Sequence, residues 1–252
     1  MEAAELGLFM ISAGVFTCLF EYPESPLHLG IANGDLRRFL IGIFMGLTAT
    51  ALIYSPWGKQ SGAHMNPAVT LTFYRLGKVT LQDALFYILF QCLGGLVGVL
   101  LVAQLLKNIF TQPPVQYVIT VPGSLGWLPA LGGELTASVL MMLMVLFTSN
   151  HEKLKRFTGV FAGCLVMLYV TFEAPLSGFG MNPARTFASA LPAGIWTAFW
   201  IYLLIPPIGM LLAVEIYGRI FTRPTVKCAK LNHANDKRCI FCGESPILIS
   251  KQ

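Results

Sequence analysis

The sequence predicts an all-α membrane protein in which six transmembrane helices and two re-entrant half-helices form an inverted repeat. Three observations lead to this fold class. Of the 252 residues, 55% are hydrophobic and only 12% are Asp, Glu, Lys or Arg, with a mean hydropathy of +0.67. Soluble domains carry about one quarter charged residues, so a soluble enzyme is not expected. The apolar residues gather in six long blocks, and an Asn-Pro-Ala motif occurs twice at related places between these blocks.

The six apolar blocks supply the spans, each of which takes about 20 residues. They cover residues 3–20, 36–54, 81–106, 125–147, 157–172 and 195–221, the second and fifth being a little short. The chain divides into a first three-helix repeat (1–110), a connecting loop (111–126), a second repeat (127–222) and a tail (223–252). Because three spans are an odd number, the second repeat is expected to lie upside down relative to the first.

The basic residues predict the orientation. Six crossings put both termini on one side of the membrane. If that side is the cytoplasm, the cytoplasmic loops and tail hold all but four of the 17 lysines and arginines, and the exceptions are Arg37, Arg38, Lys107 and Arg185. The positive-inside rule therefore favours cytoplasmic termini in a multi-pass protein of the cell membrane. The net charge of +5 is a signal of topology, and we expect the lipid bilayer rather than nucleic acid as the partner.

The two short motifs each predict the start of a helix, because Asn is favoured at the N-cap and Pro at the first helical position. The apolar stretch that follows each motif allows about two turns, which is too short to span. The positive N-terminal ends of two such half-helices would face each other near the midplane. Irregular backbone at that depth is tolerated only where protein packs it or where it lines a water-filled pore. The motif residues are Asn66, Pro67 and Ala68 after the second span, and Asn182, Pro183 and Ala184 after the fifth.

The paired motifs, with Ser61-Gly62-Ala63-His64 before the first and Gln91-Cys92-Leu93-Gly94 in the third span, resemble the aquaporin family (major intrinsic proteins) over residues 1–222. The resemblance, to a bacterial-type aquaporin or an aquaglyceroporin-like channel, implies a homotetramer with one pore per subunit, no required cofactor and no enzyme activity. It implies that the amides of Asn66 and Asn182 donate to a passing water, while protons and ions are excluded. It also implies an outer constriction formed by Met45, Val170, Phe179 and Arg185.

The range of solutes stays open at this point. Strict water channels of this family typically place His at the fifth-span position, where this chain has Val170. Phe179 resembles the residue of glycerol facilitators, whereas Thr186 and Ala190 depart from their pattern. Water is therefore the minimum substrate, and a facilitator of glycerol-sized neutral solutes is the alternative.

Two carboxylates, Glu5 and Glu134, lie at equivalent places in the first and fourth spans. An ionisable group inside a membrane is a functional candidate, and a proton-coupled carrier would need one. The favoured interpretation, which the resemblance supports, is that each carboxylate accepts hydrogen bonds from backbone donors of a re-entrant loop. His64, two residues before Asn66, is either a pore-lining group or a loop-packing one.

The tail has one cluster of chemically active residues, spaced C-x4-H-x5-C-x2-C: Cys228, His233, Cys239 and Cys242. In a reducing cytoplasm structural disulfides are not expected. Three thiolates and one imidazole match a closed tetrahedral zinc site. The alternative is a loose basic tail whose thiols are incidental or redox-reactive.

Overall fold

The computed structural model describes residues 1–221 and 226–244, and the regular elements within these ranges are all helical. Residues 223–225 and 245–252 of the predicted tail, with Arg223 and Lys251, lie outside them. Six helices are long and apolar enough to cross a membrane, and two of the shorter helices between them follow the repeated motif. In chain order the eight are α1 (Glu2–Glu21), α2 (Gly34–Tyr54), the short α3 (Pro67–Arg75), α4 (Leu81–Leu106), α5 (Trp127–Asn150), α6 (Lys155–Ser177), the short α7 (Pro183–Ala193) and α8 (Phe199–Ile220).

Both short helices begin at the predicted residues. Asn66 and Asn182 are the N-caps of α3 and α7, and their side-chain carbonyls accept from the backbone N–H groups of Ala68 and Ala184. The helices run 9 and 11 residues, or about 14 and 16 Å at 1.5 Å per residue, roughly half of the hydrocarbon core. The predicted fold class of six spans and two re-entrant half-helices is therefore confirmed.

The fifth span is longer than predicted. The apolar block ends at residue 172, but α6 continues to Ser177. It does so through a π-helical turn at Tyr169–Glu173, followed by a last α-turn at Ala174–Ser177. A proline ring clashes with the carbonyl four residues earlier in an α-helix, so Pro175 would disturb a regular continuation. The wider π-turn lets the helix pass this proline, which the sequence pattern did not reveal.

Close crossings between spans depend on glycine. A Cβ on Gly98 of α4 would lie 2.4 Å from the carbonyl oxygen of Gly7 in α1. In the α2–α6 crossing, a Cβ on Gly46 would lie 2.5 Å from the carbonyl oxygen of Gly163. Contacts this short are available only to residues that lack a side chain, so these glycines set the distance between the helices.

The outer faces of the spans are apolar. In the most apolar window of each span only 33–44% of the residues are buried. An apolar surface of this extent is unfavourable in water and suits hydrocarbon. The chain is thus an integral multi-pass membrane protein. Exposed side chains on two of the spans include Leu85, Phe86, Leu89 and Phe90 of α4, and Leu203, Leu204, Ile208 and Leu212 of α8.

Candidate pore and its constrictions

A cavity of about 550 Å³ lies between the helices. Its lining begins at Arg37 and Arg38, at the N-terminal end of α2, and reaches Leu231 in the tail on the opposite side. Side chains of α2 and α6 form two of its walls, and the two loops that precede α3 and α7 form much of the rest. The two asparagines of the repeated motif both lie on this cavity.

The two asparagines connect the halves of the chain reciprocally. Asn66 Nδ2 donates to the carbonyl oxygen of Met181 at 2.7 Å, and Asn182 Nδ2 donates to that of Met65 at 2.6 Å. Each asparagine therefore caps its own half-helix with its oxygen and binds the opposite loop with its nitrogen. An amide nitrogen carries two hydrogens. One hydrogen of each amide is left for a molecule in the cavity.

The loops before the two asparagines have the same unusual backbone. Positive φ angles occur three residues before each asparagine, at Ala63 (57°) and Phe179 (51°), and one residue before, at Met65 (49°) and Met181 (44°). Left-handed backbone costs non-glycine residues of order 1–3 kcal/mol and tends to mark functional sites. The shared pattern turns the carbonyls of the two methionines toward the opposite asparagine.

Buried carboxylates hold these strained loops. Glu134 accepts from the backbone N–H groups of Gly180 at 2.6 Å and Met181 at 2.5 Å. In the first half Glu2 does the same, accepting from His64 N at 3.0 Å and Met65 N at 2.7 Å.

Glu5, which the sequence pointed to for this role, accepts instead from the Ser61 hydroxyl at 2.8 Å. The sequence did not indicate Glu2 because this residue precedes the apolar block and so does not look like a buried one. In the structure, α1 begins at Glu2, which is 4% exposed.

A second pair of braces was also not predicted. The hydroxyls of Ser61 and Ser177 each accept from the backbone N–H two residues later, both at 3.0 Å. Tyr87 of α4 donates to Ser61 O and Tyr202 of α8 to Ser177 O, both at 2.7 Å. The repeated serine was a visible signal in the sequence, since it lies five residues before each asparagine. Tyr87 and Tyr202 could not be predicted in this way, because no shared motif surrounds them in the sequence.

The four predicted constriction residues line this one cavity. Met45 lies on α2, Val170 in the π-turn of α6, Phe179 in the loop before α7 and Arg185 in the first turn of α7. The ring of Phe179 lies 5.6 Å from that of Tyr169, measured between centroids. Three apolar side chains and one cation thus border the same space.

The connecting loop positions Arg185. A guanidinium nitrogen of Arg185 donates to the hydroxyl of Thr120. The loop is fixed in turn to the end of α6, where Gly123 N donates to Leu176 O at 2.8 Å. Thr120 was not predicted, because nothing in the sequence of a long loop indicates which of its residues will contact Arg185.

His64 is part of both the loop packing and the cavity lining. Its side chain is 3% exposed, and its ring stacks on Phe73 at 5.2 Å. Nδ1 lies 3.1 Å from Thr70 Oγ1, and Nε2 lies 2.7 Å from the carbonyl oxygen of Ala229 in the tail. Since a carbonyl only accepts, Nε2 carries the hydrogen in this pair.

The tail brings its four predicted ligands together. One ligand atom from each of Cys228, His233, Cys239 and Cys242 lies within 4.8 Å of all the others. Beside the cluster, Lys155 and Lys227 both donate to the exposed carboxylate of Glu152, and these hydrogen bonds lower its pKa to about 2. The tail is therefore attached to the loop that follows α5.

Comparisons with known proteins agree with this architecture. The sequence model of the major intrinsic protein family matches residues 7–217. In structure, the chain is similar to the aquaglyceroporin from Plasmodium falciparum, with a TM-score of 0.73, 21% sequence identity and coverage of 87% of this chain and 94% of that one. At this identity the likeness concerns the fold.

Curated relatives are similar in sequence over most of this chain. A probable NIP-type aquaporin of Nicotiana alata is 33% identical over 71% of this chain and 65% of its own length. Aquaporin-4 of Mus musculus is 30% identical over 79% and 59%. Aquaporin NIP2-3 of Zea mays is 33% identical over 85% and 70%. The chain thus spans less than two thirds of the length of the first two of these relatives.

Proposed function

Because the chain belongs to the major intrinsic protein family, we propose that it is a passive transmembrane channel that conducts water, with small neutral solutes, and excludes protons and ions. The observation that carries the proposal is the pair of asparagines. Asn66 and Asn182 come from opposite halves of the chain, lie on one cavity and are each fixed at both ends of their amide groups.

The proposed exclusion of protons follows from the amide geometry. A water molecule between Asn66 and Asn182 accepts one hydrogen bond from each amide, which occupies both of its lone pairs. Its own hydrogens then point outward along the pore, so water chains on the two sides have opposite orientations. The N-terminal ends of α3 and α7 add positive potential at the same point and repel cations.

The proposed outer constriction selects by size and charge. The guanidinium of Arg185 repels cations and donates hydrogen bonds to neutral solutes. Met45, Val170 and Phe179 surround it with apolar surface and offer no second polar side chain. This composition supports passage of small uncharged molecules whose carbon atoms need an apolar wall.

The channel is tested by stopped-flow light scattering of proteoliposomes. The full chain and a chain ending at residue 222 are compared with protein-free vesicles during shrinkage in sucrose. Water flux above the leak of the lipid is expected for one or both chains. Flux equal to that of protein-free vesicles in both chains would contradict the proposal.

A glycerol facilitator is the second candidate, because Val170 leaves the constriction without an imidazole. Re-swelling in glycerol measures this range. We expect Val170→His to lower the ratio of glycerol to water permeability, since a polar ring narrows the passage. The apolar change Val170→Leu is the control and should lower this ratio less. An unchanged ratio in Val170→His would mean that this residue does not set the solute range.

The remaining parts of the proposal concern assembly and placement. We propose a homotetramer with one pore per subunit, in a cell membrane with both termini cytoplasmic. Residues 1–110 and 127–222 form the inverted repeat, joined by 111–126. Conduction itself requires no cofactor, and the four Cys and His residues of the tail bind a structural zinc ion.

A further inference from the structure

We infer that the described tail, residues 226–244, is a zinc-folded stopper that closes the mouth of the pore on the side of the chain termini. The inference rests on the proposed channel function and extends it to regulation. It has three supports: the geometry of the Cys and His cluster, the contacts of the tail with the mouth, and the position of Leu231 in the cavity.

The cluster has the geometry of a metal site. Cys228 Sγ and Cys239 Sγ are 3.3 Å apart, and His233 Nε2 and Cys242 Sγ are 3.2 Å apart. Ligand atoms of a tetrahedral zinc ion with bonds of about 2.0–2.3 Å lie about 3.3–3.8 Å from one another. A disulfide would need about 2.05 Å. All four ligand atoms lie within 4.8 Å of one another, and three sulfurs with one imidazole nitrogen would fill the four positions of a structural zinc site, leaving none open for chemistry.

The segment between the first two ligands enters the mouth. The carbonyl oxygen of Ala229 accepts from His64 Nε2 at 2.7 Å, and Leu231 N donates to Gly62 O at 3.1 Å. Leu231, 6% exposed, lines the same cavity as the two pore asparagines. An apolar side chain without hydrogen-bonding groups obstructs a file of water molecules.

The rest of the tail is fixed to the first half of the chain. Lys230, 1% exposed, donates through Nζ to Lys59 O at 2.6 Å, and Lys59 pairs with Asp236 at 3.1 Å. The ring of Phe241, within the Cys-x2-Cys segment, is parallel to that of His64 at a centroid distance of 5.9 Å. The zinc ligands therefore fix the residues that contact the loop before α3.

A second attachment reaches the other half of the chain. Lys227 N donates to Asn150 Oδ1 at 2.8 Å, and Lys227 Nζ pairs with Glu152. The tail thus bridges the loop after α5 and the loop before α3, which belong to different repeats. A segment held at both of these loops crosses the mouth rather than lying beside it.

We expect zinc to be needed because, apart from its contacts with the two loops, the tail has no regular structure to keep it folded. Residues 226–244 contain no helix or strand, and a segment this short cannot form a hydrophobic core of its own that offsets its conformational entropy. In such small units the free energy of metal binding is the free energy of folding. Loss of the metal is therefore expected to release Leu231 from the cavity.

Metal content tests the first step. The purified full chain is expected to hold one zinc ion per chain by inductively coupled plasma mass spectrometry. The double variant Cys239→Ser/Cys242→Ser is expected to lose it, whereas Cys164→Ser, which removes an exposed thiol of α6, should keep it. A chain that holds no zinc but has a Cys228–Cys239 disulfide in mass spectra would overturn the zinc site.

Water flux tests the second step. In stopped-flow assays of the full chain, a membrane-permeable zinc chelator is expected to raise osmotic permeability severalfold, and added zinc to reverse the change. Leu231→Gly is expected to conduct rapidly while still holding zinc, because it removes the side chain in the pore but none of the ligands. Leu125→Gly, at an exposed leucine of the connecting loop, is the matched control and should stay closed until the chelator is added.

The two proposals fail in different ways. Equal permeability of the zinc-loaded and chelated full chain, at a level well above lipid leak, would overturn the stopper and leave the channel. Lipid-level flux in the chelated chain, in Leu231→Gly and in the chain ending at residue 222 would contradict the channel and the stopper together.

Discussion

The carboxylates of Glu2 and Glu134 accept hydrogen bonds from the loops that carry Asn66 and Asn182. Glu134, in the second half of the chain, accepts three. Glu134 is fully buried and accepts from Ser177 Oγ at 2.6 Å as well as from two backbone N–H groups. These donors stabilise left-handed backbone at Phe179 and Met181, which would otherwise relax. The carboxylate of Glu134 thus supports the loop before α7 and does not line the cavity.

Glu134→Gln is expected to destabilise the protein strongly. An amide keeps one acceptor oxygen but turns its own N–H groups toward backbone N–H donors. A hydrogen bond to a charged group contributes about 1.5–3 kcal/mol; the change removes at least one of the three that Glu134 accepts and takes the charge from the others. The melting temperature in detergent, followed by size-exclusion fluorescence, should fall well below that of the wild type. The control is Glu215→Gln, on the exposed surface of α8; if both variants melt alike, the bracing role is wrong.

Arg185→Ala is expected to weaken the exclusion of charge. Removal of the guanidinium takes away the cation of the proposed constriction and leaves three apolar side chains there. Proton leak, measured with an internal pH-sensitive dye in chelator-treated vesicles, should rise severalfold, and glycerol permeability should rise with it. Arg219→Ala, at an exposed residue near the end of α8, should match the wild type. A proton leak that stays at the wild-type level in Arg185→Ala would show that exclusion resides elsewhere.

The predictable residues of the site are those with a local signature. Asn66, Asn182 and Arg185 belong to a motif whose local structure can be predicted, since Asn is favoured at the N-cap of a helix and Pro at its first position. Glu2 and Thr120 have no such signature, because the partner of each is far away in the sequence and comes close only when the chain folds. The sequence thus predicts the residues that line the cavity better than the residues that hold them in place.

At the scale of the helix, hydropathy predicts that each spanning helix exists and roughly where it begins and ends, but it does not predict irregular turns within the helix. The third span, predicted at 81–106, is observed as Leu81–Leu106. The fifth differs because Glu173 and Pro175 end its apolar block although they lie inside the helix. Val170 lies in the π-turn that accommodates them and borders the cavity; such a turn follows from packing rather than from composition.

Gly98→Val is expected to separate α1 from α4. The added Cβ would meet the backbone oxygen of Gly7, which cannot move as a side chain can. Overpacking typically costs about 1–3 kcal/mol, and a backbone contact lies at the upper end of that range. Lower yield and a lower melting temperature in detergent are the expected results. The same change at Gly218 of α8, where nothing lies within 4 Å of a Cβ, is the control; equal loss in both would point to helix propensity instead of the crossing.

For the whole molecule, the arrangement favours conduction without a driving ion. A proton-coupled carrier needs a carboxylate that exchanges protons with the pore, yet both oxygens of Glu134 are engaged by loop donors. One cavity also contains both asparagines, so no alternation between two half-sites is required. Osmotic water flux in chelator-treated vesicles should therefore be the same with and without a transmembrane pH difference, and unchanged by a protonophore. Protein-free vesicles give the leak under each condition. Flux that rises with an imposed proton gradient would identify a coupled carrier.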